Sequence, residues 1–110
     1  MNARTESLLG LAKRAGKLIA GEEPCLRAIR SGEAKLVIVA ADASENTKKK
    51  YRDKCRFYRI TLAITGGRSA IGRALGRSEQ VAVAVAEAGF ARSILASLDN
   101  SEVEIFEQPG

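Results

Sequence analysis

The chain has 110 residues, with 18 Lys or Arg, 13 Asp or Glu, two Cys and no His, for a net charge of +5. That length makes one domain with enough apolar material for a core, and no apolar run approaches the roughly 18 residues that span a bilayer. Without His, the common Cys/His zinc sites are excluded, as are the commonest general base and the usual partner of a nucleophilic Ser or Cys.

The opening MNARTESLLG lacks the longer apolar run of a secretory signal, so an intracellular, cytoplasmic protein is expected. Cys25 and Cys55 read as small buried apolar residues of a reducing compartment. Charge is unevenly placed. Asp99, Glu102, Glu104 and Glu107 fall in the last twelve residues, which hold no Lys or Arg. Residues 1–98 therefore carry 18 basic groups against the remaining 9 acidic ones, about +9. A small domain that basic points to a polyanionic partner.

Taken in order, Thr5 to Ala15 carries Leu8, Leu9, Leu11, Ala12 and Ala15 on one helical stripe, with Thr5 as N-cap and Gly16 as its stop. Lys17 to Ala20 is a short strand ended by Gly21. A second helix starts at Glu22 to Pro24, since proline suits a first turn. It buries Cys25, Leu26 and Ile29, turns Arg27 and Arg30 elsewhere, and stops at Ser31-Gly32. Lys35 to Ala41 is an unbroken apolar run, the mark of a central strand covered on both faces. Ser44 caps a third helix with Tyr51, Cys55 and Tyr58 on one side and most of its lysines facing solvent.

Ile60 to Ile64 is the next strand, followed by a turn at Thr65 to Arg68 and a short helix from Ser69 to Leu75, closed by Gly76. The stretch GGRSAIGRALG matches neither a Walker nor a dinucleotide loop, and its glycines are read as places of close approach to a neighbour or ligand. Val81 to Ala86 alternates large and small apolar residues, as a strand does with one face under bulky helices and the other tightly approached. Gly89 and Phe90 open a last helix with Phe90, Ile94, Leu95 and Leu98 as its stripe. Residues 99–110 read as an acidic, mobile tail, within which Val103, Ile105 and Phe106 can dock as a short strand. The alternation predicts an α/β fold, a three-layer α/β/α sandwich around a mixed sheet of about four strands, as a single domain over residues 1–98.

The segments LLGLAKRAGKLIAGEE, LRAIRSGEAKLVIVAADASENTKKK, DKC, IGRALG and GFA together resemble the YlxQ group of small bacterial proteins, within the larger L7Ae/L30e ribosomal protein family. The likeness runs from Leu8 to Leu98. It implies the same sandwich, and it implies binding to kink-turn RNA, a duplex sharply bent at a bulge beside tandem sheared G·A pairs. The family's G-T-N-E-x-x-K motif aligns with Gly21-Glu22-Glu23-Pro24-Cys25-Leu26-Arg27. Gly21 and Arg27 match, whereas Glu23 replaces Asn and Pro24 replaces the Glu that reads guanine. After Gly76, where many members place two apolar residues, this chain has Arg77-Ser78-Glu79-Gln80. The implied RNA contacts are Lys17, Gly21, Glu22, Glu23, Arg27 and Arg77, with Arg14 and Lys48 as further phosphate contacts. No catalytic residue, metal or cofactor is expected. The expected partner is structured RNA, ribosomal or other, bound by a monomer without membrane attachment. A protein-interaction module of the same fold is the alternative reading.

Overall fold

The computed structural model describes residues 1–98 and 103–107. Along them run α1 (Ala3–Arg14), β1 (Leu18–Ala20), α2 (Glu22–Ser31), β2 (Leu36–Val39), α3 (Glu45–Tyr58), β3 (Leu62–Ile64), α4 (Arg68–Ala74), β4 (Ala82–Val85), α5 (Ala88–Ser97) and β5 (Glu104–Phe106). The sheet order is β1-β4-β2-β3-β5, with β2 and β3 parallel and the other pairings antiparallel. The expected count of about four strands is corrected to five. The added edge strand pairs Ile105 with Ala63 and Phe106 with Leu62. Three residues among acidic neighbours give too short a run for a period of two to stand out. Residues 99–102 and 108–110 of the expected tail lie outside the described residues.

Side chains alternate across the sheet and build two cores. Val37, Val39, Leu62, Ile64, Ala82 and Ala84 pack with Cys25, Ile29, Tyr51 and Cys55 of α2 and α3. Leu36, Ile38, Ala63, Val83 and Val85 pack with Leu9 of α1, Ile71 of α4, and Ile94 of α5. Every residue of β2 is buried, as its unbroken apolar run requires. In β4 the valines face α1, α4 and α5, while the alanines let α2 settle close on the other side.

Helix ends follow local chemistry with one correction. Asn2, not Thr5, caps α1, its Oδ1 accepting from Thr5 N at 2.8 Å. Thr5 turns inward instead, with Oγ1 2.7 Å from Ser97 Oγ of α5. Ser44 Oγ accepts from Thr47 N at 3.1 Å and opens α3 as expected.

Strand direction decides what gathers where. Because β1 and β2 both oppose β4, and β3 parallels β2, the C-terminal ends of β1, β2 and β3 share one end of the sheet with the start of β4. Helices α2, α3 and α4 all begin at that end.

Candidate nucleic-acid interface

At that end Gly21 turns the chain from β1 into α2 with φ 109° and ψ 151°, a conformation that a side chain strains against. Its N–H donates to Ala82 O at 3.4 Å, and its carbonyl accepts from Cys25 N at 3.0 Å. Pro24 has no N–H, so Glu22 and Glu23 supply the open amides of the first turn.

The buried side of α2 sets the rest. With Cys25, Leu26 and Ile29 inward, Glu23 and Arg27 stand outward, their side chains 76% and 63% exposed and 3.9 Å apart. Glu22 leans toward α3, where its carboxylate pairs with Lys50 and its carbonyl accepts from Tyr51 Oη at 3.4 Å. Beneath the corner, burial pushes the Cys25 and Cys55 thiols up to about 12 and raises the Tyr51 phenol above its ordinary range. All three stay neutral, and Cys25 Sγ donates to Ile19 O at 3.4 Å.

The loop after α4 folds back along its own helix. Arg77 N donates to Gly72 O at 2.8 Å, and Gln80 N donates to Arg68 O at 3.0 Å. The approach requires Gly72, where a Cβ would stand 2.7 Å from Glu79 Cα and 2.8 Å from Glu79 N. Arg77 Nη1 donates to Gln80 Oε1 at 2.8 Å, and Gln80 Nε2 donates to Ala82 O at 3.3 Å. Ala82 O thus receives both Gln80 and Gly21. A short hydrogen-bonded chain therefore joins Arg77 to the α2 corner.

Of the residues singled out in the sequence, Gly21, Glu22, Glu23, Arg27 and Arg77 come together at this end, with Lys48 nearby. Lys48 is committed to its own loop, donating to Ala41 O at 3.1 Å and pairing with Glu45 at 3.1 Å, and its side chain is only 14% exposed. Lys17 and Arg14 lie elsewhere. Lys17 stands at the other end of β1, where its carbonyl accepts from Ala86 N at 2.8 Å. Arg14 closes α1 at that same far end. There the Glu87 carboxyl is held below its ordinary range, first by N–H bonds from Gly89 and Phe90 and secondarily by the nearby Arg92 and Lys17 charges.

Sequence reasoning missed Lys50 and Gln80. Lys50 belongs to a lysine run with no local sign of its partner on α2, and Gln80 gains its place only through the β4 register. Among the described residues, no group of three or more Cys, Asp or Glu side chains is arranged to hold a metal ion. No helix among them is long and apolar enough to cross a membrane.

Fold and corner together define a class: a small basic α/β/α domain whose second helix begins beside a folded-back loop, both offered on one edge. The chain belongs to the ribosomal protein L7Ae/L30e/S12e/Gadd45 family, whose model matches residues 3–95. It is similar to the RNA-binding protein YlxQ of Bacillus subtilis (strain 168), 44% identical over 92 residues, which cover 84% of this chain and 92% of that one. The YlxQ of Enterococcus faecium is also 44% identical, over 86 residues covering 78% and 82% of the two chains. Large ribosomal subunit protein eL30 of Yarrowia lipolytica is 33% identical over 96 residues, covering 82% and 84%. A solved structure of a protein with unknown function from Bacillus halodurans superposes with a TM-score of 0.83 at 45% identity, over 86% of this chain and 96% of that one.

Proposed function

We propose that this protein is a non-enzymatic, monomeric RNA binder, and that its target is a duplex sharply kinked beside tandem sheared G·A pairs in ribosomal or other structured RNA. The observation that carries the reading is the Ala82 carbonyl, which receives both Gly21 and Gln80 and so makes the α2 corner and the Arg77 loop one edge. Relatives named as RNA-binding and ribosomal proteins support an RNA partner. Two buried thiols suit the reducing interior of a cell, where such RNAs are found.

Chemistry assigns the roles. Carboxylates repel phosphate but accept hydrogen bonds, so Glu23 suits guanine N–H groups that a kink brings into reach; regular RNA helices otherwise show mainly shape and backbone. Glu22 is engaged by Lys50 and braces the corner. Arg27 and Arg77 suit phosphate, with fixed charge and several donors each. Pro24 supplies neither N–H nor polar side chain, so base recognition rests on Glu23 and the two open amides. Lys17 and Arg14, at the far end, act through the long-range field that draws RNA in.

The test is a titration of the protein with kinked and straight duplexes of equal length, repeated with the G·A pairs changed to Watson–Crick pairs. The kinked RNA should bind about tenfold or more tightly, the scale of one or two base-edge contacts, and the change of pairs should remove the difference. Equal binding throughout would leave only unspecific attraction to a basic surface.

A further inference from the structure

Beyond Lys50, which braces the corner, α3 carries a surface that the binding role above does not use. Lys50, Asp53, Lys54, Phe57 and Tyr58 form one stripe along this helix and line a shallow groove. Phe57 is 78% exposed, and among the described residues the other exposed large apolar side chain, Leu11, reaches only 46%. Its ring meets Tyr58 edge-on, with centroids 4.9 Å apart and planes at 74°, which holds the ring from the side and keeps most of it in water.

The charges around the ring are positive. Asp53 is matched by Lys49 at 3.0 Å, and Lys50 by Glu22. Lys54 pairs with no carboxylate among the described residues, and Arg56 and Arg59 are exposed at the same C-terminal end of the helix. The groove is also continuous with the corner, because Lys50 touches Glu22 at the start of α2. From Lys50 to Phe57 is two helical turns, about 10 Å at 1.5 Å per residue. A stacked single strand covers that distance in about three nucleotides at roughly 3.4 Å each.

We infer that this α3 stripe is a platform for single-stranded RNA leaving the bound element, with Lys54 on its phosphates and a base stacked on Phe57. The inference rests on the reading that the α2 corner binds RNA. Aromatic rings set in a cationic groove are the usual means of holding single strands, and they tolerate any base because each has a π-face. An acidic protein surface would need the lysines alone; the open ring among them favours a base.

The experiment uses the full chain, wild type and Phe57→Ala, against two forms of the kinked element: blunt, and carrying an overhang of about five uridines at one end or the other. With the wild type, one of the overhangs should raise affinity about tenfold, within the range of one base stacked on an aromatic ring. Phe57→Ala should abolish that gain while binding the blunt element as the wild type does, with an unchanged melting temperature. The proposal is overturned if neither overhang adds affinity, if the gain survives Phe57→Ala, or if the substitution weakens blunt and extended RNA equally. Failure of the kink reading appears separately, as equal wild-type affinity for blunt kinked and blunt straight duplexes.

Discussion

Single side chains at the corner carry distinct burdens. Arg27 is exposed, and its one carboxylate neighbour is 3.9 Å away, so its removal should leave folding intact. Arg27→Ala is expected to weaken RNA binding by about 1.5–3 kcal/mol, the scale of a hydrogen bond to a charged group, and to reduce the salt slope by about one. Fluorescence titrations at several salt concentrations check both. Gly72 fails differently. An added Cβ would meet the Glu79 backbone at 2.7 Å, and backbone cannot swing aside as a side chain can. Gly72→Ala should cost about 1–3 kcal/mol of stability, seen in urea unfolding, and should weaken RNA binding as well, since Arg77 hangs from that loop. Its tight fit was half legible: the glycines of GGRSAIGRALG read as places of close approach, while the identity of the neighbour required the loop's return path.

Elements explain why most of the fold could be read from the chain and part of the site could not. Helical stripes, the unbroken apolar run of β2 and the large–small alternation of β4 are consequences of period and burial, and these survive in one dimension. Lys17 shows the limit. It is four residues from Gly21, yet a strand advances roughly 3.3 Å per residue, so neighbours in sequence lie at opposite ends of the sheet. The seam between α2 and α3 gives a further expectation. Cys25 and Cys55 titrate near 9.0 when free and at about 12 when folded, because burial disfavours the thiolate. Above pH 9 the unfolded chain therefore releases protons that the folded chain keeps. Stability should be full below that pH and fall between about pH 9 and 12, with buried Tyr51 acting in the same direction. Urea unfolding across this range measures the slope, and native thiols should resist alkylation at neutral pH until the chain unfolds.

At the scale of the whole molecule, charge was the most legible property, because it is a sum. Residues 1–98 carry 18 basic groups against 9 acidic ones, and RNA binding should weaken steeply as salt displaces that attraction. The two phosphate contacts assigned to Arg27 and Arg77 alone give a log–log slope of about −1.5 to −2; a flat dependence would rule out a phosphate-led interface. The joining of corner and loop was not legible, since it depends on β4 lying between β1 and β2 with its first residue beside Gly21. No local pattern encodes which strands become neighbours.

That placement of β4 also sets a clock. Among the described residues β1 pairs with β4 and with no other strand, and Gly21 has its amide partner in Ala82. At roughly 5–20 residues per second, a nascent chain makes Ala82 about 3–12 s after Gly21. Throughout that interval the α2 segment lacks the strand that seats its first turn. Fragments ending before Val81 should accordingly hold kinked RNA no better than straight RNA. On the proposed reading, recognition of the kink is among the last properties a newly made molecule acquires, although Glu23 and Arg27 of its proposed contacts are among the first residues to emerge.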